Sequence, residues 1–268
     1  MASLAAVVAA AALLPGFAPF STGPDGGTVL SGVFPGTERA GYVYLPPGYD
    51  AAKRYPVLYL LHGMPGSPTE YLAGTDLTTF ADTAISSGAV RPFIAVLPAA
   101  GPARKYNGEW AGPWETAVVD GVVPFVDSHL ATIRAPAGRV IAGLSAGGFG
   151  AVYIGVRHPD LFGAVESWSG YFHPLRDGPF KDATPSQLSA NDPTRVVASH
   201  ARALRGVRFF VSSGPAHSHW FKPAQTWAFA RELQANGLRV RTYYYADPKG
   251  EWRAQFDDGL QWAFGSGG

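Results

Sequence analysis

The residues best suited to chemistry lie together in Gly143-Leu144-Ser145-Ala146-Gly147, a G-x-S-x-G pentad followed by a further glycine at 148. This spacing puts a serine on a sharp strand-to-helix turn with its hydroxyl exposed, because only glycines at 143 and 147 let neighbouring backbone pass close by. Residues 139–144 read as the buried strand and 146–157 as the Ala/Gly-rich helix that such a turn needs. The free N–H groups and positive dipole end of that helix face the serine and suit a developing oxyanion, with the N–H of Ala146 as the natural donor. Without its context the pentad would be a glycine-rich structural turn; the flanking patterns favour a nucleophile.

The elements that must hold this serine follow from the rest of the chain. Its 268 residues suffice for one large α/β domain, and nothing in the composition suggests a second. Apolar runs at 55–61 and 92–97 read as buried strands, 161–168, 207–212 and 240–245 as further strands, and 75–87, 114–130, 223–236 and 252–264 have helical character. The helix over 114–130 is interrupted by Gly121 and Pro124. Segments 28–34 and 41–45 form an antiparallel entry pair. Strands alternating with helices imply a mostly parallel central sheet with helices on both faces and a cleft at the carboxyl ends of its strands.

Residues 2–14 form an alanine-rich apolar run broken by Pro15-Gly16, too short to span a bilayer as a helix. It resembles the apolar core of a signal peptide, although no Lys or Arg precedes it. The expected organisation is therefore an N-terminal segment, 1–20, followed by a single domain, 21–268, either secreted or envelope-associated or retained in the cytoplasm. Basic and acidic residues number 21 and 20 with no basic tract, so no nucleic-acid partner is implied. The absence of cysteine removes thiol nucleophiles and thiolate metal sites together.

Several motifs combine into a resemblance. Leu45-Pro46-Pro47-Gly48-Tyr49, the strand 55–61 running into His62-Gly63, Gly143 to Gly148, and Asn191-Asp192-Pro193 resemble the esterase D-like group of α/β-hydrolases, over roughly residues 28–265. That group includes feruloyl esterases, S-formylglutathione hydrolase and mycolyltransferases. The resemblance implies an α/β-hydrolase fold and an acyl-enzyme on Ser145. It also implies an oxyanion hole from the backbone N–H groups of Met64 and Ala146, and a loop-shaping role for His62. No cofactor or metal is implied. The substrate would be a small-molecule ester or acyl donor, including a glycolipid or carbohydrate ester, resolved by water or by a second alcohol.

The departure from the family pattern concerns the rest of the triad. Family members carry the acid after the strand matching 207–212 and the histidine after the strand matching 240–245. Here the first loop reads Gly214-Pro215-Ala216-His217-Ser218-His219 and the second Asp247-Pro248-Lys249-Gly250-Glu251. Histidine and carboxylate have exchanged loops. One reading is a permuted triad, with His219 or His217 as base and Glu251, or Asp247, as the orienting acid, since triads are defined by geometry and not by chain order. The other is a non-catalytic relative that binds carbohydrate or lipid or serves as a scaffold. Trp110, Trp114, Trp168 and Tyr171 follow the carboxyl ends of strands and are candidates to line a substrate cleft, with packing under a loop as the alternative.

Overall fold

The computed structural model describes residues 14–102, 108–215, 222–247 and 251–265. The strands are β1 (Phe17–Thr22), β2 (Thr28–Val33), β3 (Ala40–Leu45), β4 (Val57–Leu61), β5 (Ile94–Leu97), β6 (Arg139–Leu144), β7 (Ala164–Trp168), β8 (Arg208–Ser213) and β9 (Arg239–Tyr244). They join in one sheet in the order β1-β2-β3-β5-β4-β6-β7-β8-β9. Pairing is antiparallel from β1 to the β3–β5 contact and parallel from there to β9. β4 has β5 on one side and β6 on the other, so successive crossovers leave it in opposite directions. This reversal opens a crevice at the carboxyl ends of β4 and β6, where α/β sheets bind ligands.

The helices are α1 (Thr69–Ala73), α2 (Leu77–Ser86), α3 (Pro113–Thr116), α4 (Val123–His129), α5 (Ala146–Arg157), α6 (Pro185–Ala190), α7 (Pro193–His200), α8 (Pro223–Ala235) and α9 (Glu251–Phe264). Alternation along each strand divides the core. Leu58, Leu60, Val140, Ala142 and Phe210 face α1, α2 and α9, whereas Tyr59, Leu61, Ile141, Val165 and Phe209 face α4, α5, α7 and α8. The rod expected over 114–130 is continuous: α3 runs through a π-helical turn, Ala117–Val122, into α4. Gly121 is needed there because a Cβ would overlap the Pro35 carbonyl. Pro124 has no N–H to return to the preceding turn, and the widened turn before it re-registers the helix. Among the described residues no helix is long and apolar enough to cross a membrane.

The expected boundary at residues 20/21 cuts through a strand. β1 pairs with β2 along its length, with a register shift between Pro19 and Ser21. Leu14 and Phe17 are buried, and the Phe17 ring packs on Phe34 and Phe125 at 4.9 and 5.9 Å. Removing residues 2–20 is therefore expected to lower the melting temperature by roughly 6–10 °C, the loss of Phe17 alone costing about 3 kcal/mol. Calorimetry of the truncated chain checks this, and an unchanged transition would show that β1 adds nothing to the domain.

Candidate active site

β6 delivers the chain to Ser145 and α5 begins at the next residue. Ser145 is half-buried and takes φ 56°, ψ −118°, a strained conformation for a residue with a Cβ, which persists because both sides of the turn are fixed. Its N–H donates to the Trp168 carbonyl at 2.9 Å and its carbonyl accepts from the Phe149 N–H at 3.0 Å. The glycines are required by contact. A Cβ at 143 would overlap the Gly147 carbonyl group, and one at 147 would overlap the Leu61 carbonyl oxygen. The elbow is thus clamped against the end of β4. Ala146 is the first residue of α5, where an N–H has no acceptor inside the helix.

The loop after β4 forms the other wall. A Cβ built on Gly63 would stand 3.6 Å from the Ser145 Cβ, so His62-Gly63-Met64 passes directly over the elbow. His62 is 2% exposed and spends both ring nitrogens on this loop: Nδ1–H donates to the Gly63 carbonyl at 2.7 Å, and Nε2 accepts from the Ala100 N–H at 3.0 Å. Burial pushes its pKa down to about 4. It is a neutral strut and does not serve as the base. A second strut is Tyr71 in α1, whose hydroxyl accepts from the Leu144 N–H at 3.0 Å and donates to the Leu61 carbonyl at 2.8 Å.

Glu251 lies at the carboxyl ends of β7 and β8. It opens α9, is 2% exposed, and accepts on Oε1 from the Ser169 hydroxyl at 2.7 Å and the Gln255 amide at 3.2 Å. A Cβ on Gly214 would overlap its carboxylate, so the glycine after β8 is what admits the group. The segment containing His217 and His219 leaves from that point, and both histidines lie outside the described residues. Asp247, by contrast, is exposed after β9. In the Asn191-Asp192-Pro193 motif, Asp192 caps α7 through the Thr194 N–H at 2.9 Å and pairs with His173 at 2.7 Å, which accounts for it structurally.

The four aromatic side chains expected at a cleft are turned inward. Trp110 is 1% exposed, donates its indole N–H to the His62 carbonyl at 3.0 Å and packs against Gly150 of α5. Trp168 is buried between Tyr71 and Phe256, with its N–H on Glu166. Tyr171 stacks on Phe149, and Trp114 is buried in the core on the α4 and α5 side. Their size is accounted for by packing. Trp252 is the aromatic that sequence reasoning passed over: it is 52% exposed, follows Glu251, and borders a cavity of about 320 Å³ with Thr69, Glu70, Tyr71, Thr75 and Leu144. Its neighbourhood to Glu251 was the available signal.

Two buried carboxyls remain outside this constellation. Among the described residues Glu166, in β7, accepts only the Trp168 N–H, and Glu109 accepts the Tyr171 hydroxyl at 2.6 Å beside Asp177. Burial raises both to about 8, with the Asp177 charge adding to the effect at Glu109. In the unfolded chain they ionise near the ordinary carboxylate value, so between about pH 4.5 and pH 8 the native state holds protons that the unfolded state has lost. Stability is fully present below that window and falls as pH rises through it, by at most about 1.4 kcal/mol per pH unit for each group. Denaturant midpoints at pH 5.5 and 8.5 measure the slope. Glu166→Gln should flatten it and raise the midpoint at pH 8.5; an unchanged slope would refute the assignment.

Residues 32–263 match the family model for esterases, described as "Putative esterase". The chain belongs to this esterase family. An endo-1,4-beta-xylanase/feruloyl esterase of Xylanibacter ruminicola is 31% identical over 140 residues, 48% of this chain and 19% of that protein. A Mycobacterium tuberculosis esterase is 34% identical over 134 residues, again 48% of this chain and 28% of the relative. The chain thus spans less than a third of the length of these two relatives. Among solved structures, a ferulic acid esterase superposes with a TM-score of 0.76 at 24% identity, covering 88% of this chain and 96% of that one. An S-formylglutathione hydrolase from Agrobacterium tumefaciens gives 0.68 at 18% identity, covering 92% and 97%. These likenesses establish the α/β-hydrolase fold for this esterase-family chain.

Proposed function

We propose that the chain is a serine carboxylic-ester hydrolase with Ser145 as nucleophile, His219 or His217 as base and Glu251 as the orienting acid. The observation that carries the reading is the buried Glu251 carboxylate, seated over Gly214 where the histidine-bearing segment departs. In this reading the Ser145 oxygen bonds to the ester carbonyl carbon while the imidazole takes its proton. Backbone N–H groups of Ala146 and Met64 receive the charge that develops on the carbonyl oxygen. Collapse expels the alcohol, which takes the proton from the imidazolium, and water repeats the cycle on the acyl-serine. Glu251 accepts from the other ring nitrogen and holds the imidazole in the productive tautomer.

Relatives named as feruloyl esterases make hydroxycinnamoyl esters of polysaccharides the first substrates to try. The open cavity between Trp252 and Leu144, the residue that precedes the nucleophile in the chain, is of a size and lining that suit a flat apolar group. A fluorophosphonate probe should label Ser145 in the folded protein, located by peptide mass spectrometry, and methyl ferulate and p-nitrophenyl acetate should be turned over. Absence of both labelling and turnover would leave the fold as a binding domain.

A further inference from the structure

β9 is the last strand of the sheet, and α9 packs over β7 and β8 without covering it. Its residues Arg239, Arg241 and Tyr243 share the α9-side face and are exposed. Arg208 of β8 stands directly opposite Arg239, with its guanidinium 4.7 Å from the centre of the Trp262 ring. Like charges opposite one another on neighbouring strands destabilise a sheet. Burial lowers the Arg208 pKa, and of its charged neighbours the buried Glu166 offsets this while Arg239 and Arg91 add to it, so two like charges remain close to the guanidinium. Among the described residues none of Arg91, Arg208, Arg239 and Arg241 has an ion-pair partner. Arg208, Arg239, Arg241 and Trp262 line an open groove of about 470 Å³ that no Asp or Glu borders.

Beyond Arg241 the same strand carries an aromatic stretch. Tyr243 is 45% exposed and its ring lies 4.6 Å from that of Tyr245, while Tyr244 is 44% exposed. Alternate residues on a strand step by about 6.8 Å, so Arg239, Arg241 and Tyr243 form a cationic-to-aromatic track roughly 14 Å long. Because β9 runs parallel to β6, the tyrosine end lies at the edge that carries Ser145, three strand spacings or about 14 Å across the sheet. Charged side chains on an edge strand guard it against self-association, but that does not account for Arg208 on the neighbouring strand β8 stacked on Trp262 beside the two arginines of β9.

We propose that this face of β9 binds an extended acidic polysaccharide, its carboxylates held by Arg208, Arg239 and Arg241 and a sugar ring resting on Tyr243. Planar guanidinium forks match carboxylates in bidentate fashion, and exposed tyrosine rings suit sugar faces. The chain's net charge of +1 argues against a nucleic-acid surface, which draws its affinity from many basic groups. The binding track stands on its own observations; its role in leading a polymer-borne ester towards Ser145 rests on the esterase reading.

Native affinity electrophoresis of the full chain in gels containing polygalacturonate, neutral xylan or single-stranded DNA tests the track without requiring turnover. Polygalacturonate should retard the protein in a salt-sensitive way and neutral xylan should not. The double variant Arg239→Ser/Arg241→Ser should bind about tenfold more weakly. Tyr243→Ala should weaken binding without altering charge. Lys53→Ser/Arg54→Ser, which removes two charges from a distant loop, should bind like the parent, and all variants should hydrolyse p-nitrophenyl acetate at the parental rate. Equal retardation by single-stranded DNA, equal weakening by the Lys53/Arg54 pair, or no retardation at all would overturn the proposal. Loss of ester turnover with retardation intact would instead count against the esterase reading alone.

Discussion

Ser145→Ala is expected to lower kcat on p-nitrophenyl acetate by at least about 10³-fold, with the melting temperature within a few degrees of the parent. The separation of the two effects follows from the elbow: the strain at φ 56° is held by main-chain bonds to Trp168 and Phe149, none of which uses the hydroxyl. Glu251→Gln should follow with a loss of about 10²–10⁴, since an amide over Gly214 keeps the packing and the Ser169 contact but no longer holds an imidazolium. Of His217→Ala and His219→Ala, one should approach the serine variant and the other should stay near the parent. Single-turnover and steady-state kinetics read all four. Parental kcat in Glu251→Gln would exclude it as the acid, and parental activity in both histidine variants would exclude the permuted triad.

The largest effect on folding is expected from Gly147→Ala. Its added methyl would overlap the Leu61 carbonyl oxygen and crowd that of His62, both main-chain atoms with no rotamer to escape into. The N-terminus of α5 would have to withdraw from β4, and a loss above about 4 kcal/mol is expected, enough to leave little soluble protein. Gly206→Ala is the matched control: nothing lies within 4 Å of its added Cβ, and the change should be neutral or stabilise by about 0.5 kcal/mol. Soluble yield and denaturant midpoints measure the contrast, and a Gly147→Ala protein as stable as the parent would show that the clamp between elbow and β4 is soft.

What the sequence discloses here is set by how local each signal is. The elbow, the buried strands and the helix 146–157 are written in contiguous periodic residues, and the structure reproduces them within a few positions. β1 escaped because Phe17-Ala18-Pro19-Phe20 reads as a broken run, whereas an edge strand tolerates a proline. Trp110, Trp114, Trp168 and Tyr171 follow strands in the chain, but chain position does not give the direction a ring turns, and all four are buried. Glu251 could be named from its loop; its seat over Gly214 could not, since that depends on β8 and α9 meeting. The arginines of β8 and β9 are scattered along the chain and become neighbours only through strand pairing, so a sequence with no basic tract still builds a cationic surface.

The Tyr71 hydroxyl is spliced between the Leu144 N–H and the Leu61 carbonyl, so one rung between β4 and β6 runs through a phenol. The width of the sheet at its reactive edge is consequently set by a side chain belonging to neither strand. α1 acts as a spacer there, and a shift of that short helix would open or narrow the gap between nucleophile and oxyanion loop while leaving every residue of β4 and β6 as it is. Tuning of reactivity in this fold can therefore be inherited through a peripheral helix, separately from the strands that carry the chemistry.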